Sequence, residues 1–496
     1  MISVNPMTGE KVVIPDGREE QERLEAFVAS HPKKPVVVVQ GLGFVGSVMA
    51  VVIANALHRD YAVIGIDLPS PASYWKIDAI NQGQMPVSSD DPKIDHFFKQ
   101  AKLKENFIAT HDAHAYALAD VVVVDINLDV QKDSDEQRNL RGYEVDLSGF
   151  KKAMRSIAAA CKPSALVLVE STVPPGTCEK IIRPIFQDEF EKRGIAGSVK
   201  LGHSYERVMP GPGYIDSIQS FYRVYAGINE DSADAVEDFL KTIIRVDEYP
   251  LTRLQSTTAT EMSKVLENSY RAMNIAFVQE WTEFAENAGV NLFEVVDAIR
   301  MRPTHKNLMR PGLGVGGYCL TKDPLLASWA SRQLFDGDPL PQSEAAVKIN
   351  DRMPLHTFRV IRQKIKSPLK GKRFLLLGVS YLNDVGDTRY TPVELLYDQL
   401  LAEGCEITLQ DPYVAFWEEK QLQIETNLES VLTTNYEALV LTTAHREYRE
   451  NPALREWLRE FPGRLWVFDA VSGLTREIIH DIKTKHQMAV IGRGDF

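Results

Sequence analysis

The run Val36-Val37-Val38-Val39-Gln40 leads straight into Gly41-Leu42-Gly43-Phe44-Val45-Gly46, and Asp67 stands about 20 residues further on, closing a second apolar run (Ala62 to Ile66). Unbroken β-branched stretches of this kind suit strands buried on both faces of a parallel sheet. Between them, Ser47 to Leu57 reads as an apolar helix. In such a strand–loop–helix unit each glycine has its own task. Gly41 permits the tight turn, Gly43 lets a pyrophosphate approach the backbone, and Gly46 lets helix and strand pack closely. The helix start offers N–H groups and partial positive charge to phosphates. Asp67 is placed to hydrogen-bond the adenosine ribose and repel a 2′-phosphate, which favours NAD over NADP. Phe44 and Val45 join the three glycines and Asp67 as expected cofactor contacts. A glycine turn with no ligand is the alternative, and the complete context weighs against it.

The same strand pattern recurs at Val121 to Val124 and Ala165 to Val169, so the first half reads as a doubly wound α/β sheet. The middle changes character. From Ser256 to Asn287 there is no proline or glycine, and Met262, Val265, Ser269, Met273, Phe277 and Phe284 recur at helical spacing, which predicts one long helix, with further helix over Asn291–Arg300. After Lys370-Gly371-Lys372-Arg373 the strand pattern restarts (Phe374 to Gly378, Glu406 to Gln410, Ala438 to Leu441, Leu465 to Phe468). The expected fold class is α/β, with two Rossmann-like doubly wound domains joined by a long central helix. The expected division is an N-terminal extension over 1–34, a dinucleotide domain over 35–230, a central helical and dimerisation region over 231–345, and a second α/β domain over 346–496.

The length of 496 residues calls for two or three domains, and 44% hydrophobic with 25% charged residues is ordinary for a globular chain. A net charge of −12 argues against a nucleic-acid partner. Cys161, Cys178, Cys319 and Cys405 have neither disulfide nor zinc spacing, so no metal is expected and a reducing compartment is. No apolar run reaches a membrane span, and the first residues lack the layout of a secretion signal. A cytoplasmic location is expected.

Chemistry concentrates in Pro311-Gly312-Leu313-Gly314-Val315-Gly316-Gly317-Tyr318-Cys319-Leu320-Thr321-Lys322-Asp323-Pro324. Four glycines let backbone close on a ligand, and a thiol near a cation gains thiolate character. A small buried cysteine in a glycine turn is the alternative for this stretch taken alone. Lys264 and Asn268 stand at i,i+4 and project from one face of the long helix. Glu261 is a possible ion-pair partner for Lys264.

Together with Glu170-Ser171-Thr172-Val173-Pro174-Pro175-Gly176-Thr177, Ile349-Asn350-Asp351-Arg352-Met353-Pro354 and Asp387-Thr388-Arg389-Tyr390-Thr391-Pro392, these segments make the chain resemble the UDP-glucose/GDP-mannose dehydrogenase family from Pro35 onward. The resemblance implies a nucleotide-sugar 6-dehydrogenase that turns a C6 hydroxyl into a carboxylate with two NAD and one water, assembled as a homodimer or larger homo-oligomer. It implies Cys319 as the nucleophile forming a thiohemiacetal and then a thioester, and Asp323 as the carboxylate assisting proton transfer and water activation. Lys264 and Asn268 would stabilise the oxyanion. Thr172 is implied at the cofactor, and Gly316, Gly317, Lys322 and Arg389 at the UDP-sugar, Arg389 because its planar fork holds two phosphate oxygens at once. A part in making acidic sugars for surface polysaccharide is likewise implied.

Within Ser204-Tyr205-Glu206-Arg207-Val208-Met209-Pro210-Gly211, the Glu-Arg…Pro-Gly form is similar to the branch acting on UDP-N-acetylhexosamines. It implies Glu206 as a general base or orienting carboxylate and Arg207 as a contact to the sugar substituent, with Pro210 where other branches carry a second glutamate. Leu128 stands where the family has a threonine, Leu382 replaces a lysine, and Phe468-Asp469-Ala470-Val471-Ser472 departs from the usual signature. UDP-glucose oxidation, a two-electron β-hydroxyacid-type dehydrogenase and a non-catalytic nucleotide-sugar or NAD binder are the competing readings. The second enzyme class needs neither Cys319 nor residues 370–496, and a binding module has no use for a thiolate.

Overall fold

A computed structural model describes residues 1–5, 9–15, 20–87, 91–208 and 211–496. The chain forms two compact units: 1–129 with 145–265 and 329–337, and 130–144 with 266–328 and 338–496.

The first unit is built on an eight-stranded sheet. Its strands are β1 (Val36–Gln40), β2 (Ala62–Ile66), β3 (Phe107–Thr110), β4 (Val121–Val124), β5 (Leu166–Val169), β6 (Lys200–His203), β7 (Val224–Gly227) and β8 (Thr252–Arg253), in the spatial order 8-7-6-5-4-1-2-3. All neighbours are parallel except β6 and β7. Every residue of β1 and β2 is buried, as the unbroken apolar runs require. The helix Phe44–Ala54 is buried along nearly its whole length from Gly46 onward, which explains its lack of a polar face.

Two features of this unit differ from the expected division. The helix Glu230–Ile243 packs on β6 and β7, so the sheet's own layer runs past residue 230 and the unit extends to Val265. Residues 1–34 are also more than an extension. Ile2–Val4 and Lys11–Val13 pair as an antiparallel ribbon, and the helix Glu20–Ala29 buries Leu24 completely.

The second unit holds a five-stranded, wholly parallel sheet: β9 (Arg373–Leu377), β10 (Glu406–Gln410), β11 (Ala438–Leu441), β12 (Trp466–Asp469) and β13 (Gln487–Val490), in the order 10-9-11-12-13. Phe374 and Leu376 join one apolar cluster while Leu375 and Leu377 join another, so both faces are covered. The long helix spans Thr257–Asn287 and a further helix Leu292–Arg300, as the proline- and glycine-free pattern predicts. Its apolar positions divide: Val265 and Ser269 are buried, whereas Met262, Phe277 and Phe284 are exposed.

Candidate active site

In the first unit, the glycine loop sits at the carboxyl end of β1, where doubly wound sheets bind ligands. Gly41 has φ +98°, and a Cβ there would strike the carbonyl oxygen of Asp125; one at Gly46 would strike the carbonyl oxygen of Gly41. A Cβ on Gly43 would meet nothing within 4 Å, so this glycine faces open space. The helix that begins at Phe44 has no side-chain cap, which leaves its start to the backbone and to whatever binds there. At the end of β2, the Asp67 carboxylate accepts from the Leu42 N–H (3.0 Å) and the Leu68 N–H (2.7 Å), with the Lys76 Nζ at 3.3 Å. These residues fit a dinucleotide: a tight glycine turn, an open glycine face and an acid occupy adjoining strand ends.

Thr172 is half-buried just past β5. Ser171 beside it accepts from the Ile126 N–H (2.8 Å) and donates to the Val124 carbonyl (3.1 Å), tying the ends of β4 and β5 together. Leu128 is buried. Past β6, Lys264 donates to the Glu206 backbone carbonyl (2.9 Å), lies 3.9 Å from the Glu206 carboxylate, and stands over the Tyr205 ring. The Glu206 carboxylate accepts from the Val208 N–H. Arg207 spans the Tyr205 and Phe221 rings and donates to the Tyr222 carbonyl (2.7 Å). Met209 and Pro210 lie outside the described residues. Glu261 does not serve Lys264; its buried carboxylate accepts from the Gly176 N–H (2.6 Å) and the Cys178 N–H (2.8 Å), and burial pushes it up to about 7.

Sequence reasoning missed a row of buried charge here. Parallel register sets Val124 opposite Val169 and Val169 opposite His203, so Asp125, Glu170 and Ser204 follow side by side. Arg223 pairs with Glu170 at 3.2 Å, both nearly without exposure. Burial, and the neighbouring carboxylates, raise Asp125 well above the usual range, and burial raises Glu170 against the opposing pull of Arg223. Only the register brings these residues together, since they are far apart along the chain.

In the second unit, Cys319 is the first residue of the 17-residue helix Cys319–Phe335, and it is exposed. The other three cysteines are buried; burial pushes Cys161 and Cys405 up to about 11 and raises Cys178 well above the usual thiol range. One turn on from Cys319, Asp323 is buried and accepts from the Asn268 amide at 2.6 Å. Lys322 Nζ lies 4.0 Å from Asp323. The loop before the helix is clamped by Asn350, which accepts from the Val315 N–H (2.9 Å) and donates to the Val315 carbonyl (2.8 Å). Gly316 and Gly317 are required by packing: a Cβ on either would run into Tyr381. Gly317 also donates to the Arg389 carbonyl at 2.9 Å. Arg389 is held by Asp387 (Nε to both carboxylate oxygens, 2.8 and 3.0 Å) and lies over the Tyr318 ring. Leu382 is exposed.

The parallel sheets, the glycine cradle and the acid at the end of β2 define a dinucleotide-binding α/β protein. Family models agree in three consecutive stretches: the NAD binding domain of the UDP-glucose/GDP-mannose dehydrogenase family over 35–244, its central domain over 258–352 and its UDP binding domain over 375–475. The chain therefore belongs to the UDP-glucose/GDP-mannose dehydrogenase family and is an NAD-dependent nucleotide-sugar dehydrogenase. It is 28% identical over 416 residues to a UDP-N-acetyl-D-mannosamine dehydrogenase of Pyrococcus horikoshii, covering 83% of this chain and 90% of the relative. It is 25% identical over 429 residues to an NDP-N-acetyl-D-galactosaminuronic acid dehydrogenase of Ralstonia nicotianae, covering 84% and 92%. The crystal structure of an NDP-N-acetyl-D-galactosaminuronic acid dehydrogenase from Methanosarcina mazei superposes with a TM-score of 0.75 at 26% identity, covering 95% of this chain and 98% of the other. Among the described residues no helix is long and apolar enough to cross a membrane, and no cluster of side chains could hold a metal.

Proposed function

We propose that the protein oxidises the C6 hydroxyl of a UDP-N-acetylhexosamine to the carboxylate in two successive NAD-dependent steps, with Cys319 holding the carbon between them. Bound NAD supplies the hydride acceptor. Glu206 takes the C6 hydroxyl proton as general base, and Lys264 beside it stabilises the developing alkoxide. The Cys319 thiolate then adds to the C6 aldehyde, giving a thiohemiacetal, and the second oxidation converts it to a thioester. Asp323 takes a proton from the water that attacks the thioester and passes it to the departing Cys319 sulfur, which releases the acid and restores the thiol. Asn268 keeps the Asp323 carboxylate aimed by its 2.6 Å hydrogen bond. Lys322 and Arg389 supply positive charge for the diphosphate, and Arg207 contacts the sugar substituent.

The observation that carries this reading is the contrast among the four cysteines: three are buried, and the one at a helix start, where the dipole favours thiolate, is open to solvent. An exposed thiol nucleophile needs a reducing compartment, which supports the cytosol. The choice of an N-acetylated sugar rests on the Glu206–Arg207 motif and on the named activities of the relatives. The test is stoichiometry with UDP-glucose and the UDP-N-acetyl derivatives of glucosamine, galactosamine and mannosamine. Two NADH per sugar consumed, with an N-acetylated sugar preferred, is the expected result. One per sugar indicates a two-electron dehydrogenase, none a binding protein, and a preference for UDP-glucose overturns the substrate assignment.

Two further outcomes follow. Asp67→Ala removes the carboxylate and leaves Lys76, so NAD is expected to bind about tenfold more weakly while NADP gains on it, read by titrating both cofactors. Met262, Leu266, Tyr270, Phe277, Trp281 and Phe284 leave an exposed apolar stripe along the long helix, and such a stripe supports a homodimer. Trp281→Glu with Phe284→Glu is expected to halve the solution mass measured by light scattering; an unchanged mass places the interface elsewhere.

A further inference from the structure

The described residues of 1–34 precede the first family match, which begins at Pro35, yet they fasten both sides of Asp67. On one side, the buried Ser3 hydroxyl donates to the Pro71 carbonyl (2.7 Å) and accepts the Trp75 N–H (3.0 Å). This fixes the entry to the helix Tyr74–Gln82, which carries Lys76 against the Asp67 carboxylate. On the other side, the Asp67 N–H donates to the Thr110 carbonyl (3.2 Å), and the Thr110 hydroxyl donates to Glu20 (2.6 Å). Arg23 donates to the Ala109 carbonyl at 2.7 Å and pairs with Glu20 at 2.8 Å. Leu24, fully buried, anchors the helix from which Glu20 and Arg23 project.

We infer that the N-terminal segment is a built-in clamp on the adenosine end of the cofactor site, with Ser3, Glu20 and Arg23 acting as positioning residues that hold Asp67 ready for the ribose. The inference rests on Asp67 being the ribose contact. A carboxylate held in its bound geometry loses less conformational freedom when the ligand arrives, so the clamp strengthens binding without touching the ligand.

The experiment uses the full chain carrying Ser3→Ala and Arg23→Ala together, with Asp67→Ala as the reference. ADP-ribose and NADH affinities are measured by calorimetry, beside KM and kcat. The double variant is expected to bind both ligands about three- to tenfold more weakly, the weight of one or two hydrogen bonds. KM for NAD should rise to match, with kcat and the KM for the sugar unchanged. If the double variant does not fold, Ser3→Ala and Glu20→Gln alone should each give about a twofold to threefold loss, and Arg23→Lys, which keeps a donor for Ala109, should recover most of the affinity. Unchanged affinity in folded clamp variants, or a fall in kcat in step with the rise in KM, overturns the clamp. Unchanged ADP-ribose affinity in Asp67→Ala overturns the ribose assignment and the clamp with it, and so separates the two failures.

Discussion

Cys319→Ser is expected to lower acid formation about a thousandfold or more while NADH binding stays within about twofold. The hydroxyl is a poor nucleophile at neutral pH, and without a thiohemiacetal the second oxidation has no covalent substrate. Folding should survive the change, because the side chain is exposed at the first residue of a helix, where serine is well tolerated. Serine at Cys161, Cys178 or Cys405 should instead affect stability before turnover, since each of those thiols is buried and serine would place a hydroxyl there. The comparison is read by following acid and NADH in parallel with thermal unfolding for all four variants. Unchanged acid production by Cys319→Ser would refute the nucleophile.

Asp323→Asn should cost about a hundredfold to ten-thousandfold in turnover, the usual span for a lost general base. The asparagine oxygen can still accept from Asn268, so the 2.6 Å contact and the helix start are kept while the charge is removed. The deficit should fall mainly on release of the acid: a first burst of NADH should survive and the steady rate should collapse, as rapid-mixing absorbance would record. A variant that loses the burst along with the steady rate would assign Asp323 to an earlier step.

The sequence pattern revealed the sheets, because residues such as Val36 to Val39 and Phe374 to Leu377 are buried on both faces and need no alternation. It also revealed the long helix, but periodicity could not separate Val265, which packs inward, from Phe277 and Phe284, which face solvent. An apolar face looks the same whether its own chain or another covers it. Glu261 stands one turn from Lys264 and reads as its ion-pair partner, yet the chain uses it to take two backbone N–H groups at 176 and 178. The Asp125, Glu170 and Arg223 row depends on strand register, which no local stretch encodes. Residues 1–34 read as an extension because the burial of Leu24 is decided by distant partners. The motif residues were legible because backbone geometry and chemistry restrict them: Gly41 and Gly46 leave no room for a Cβ, and only Cys319 offers a thiol to solvent.

The most direct test follows the sulfur. Wild-type protein turning over its UDP-sugar should be quenched in acid within a few turnovers and mapped by peptide mass. The peptide carrying Cys319 is expected to bear the uronosyl nucleotide as a thioester, an adduct that hydroxylamine releases. A quenched sample with two NADH formed per sugar and an unmodified Cys319 peptide at every time point would contradict covalent capture by this residue.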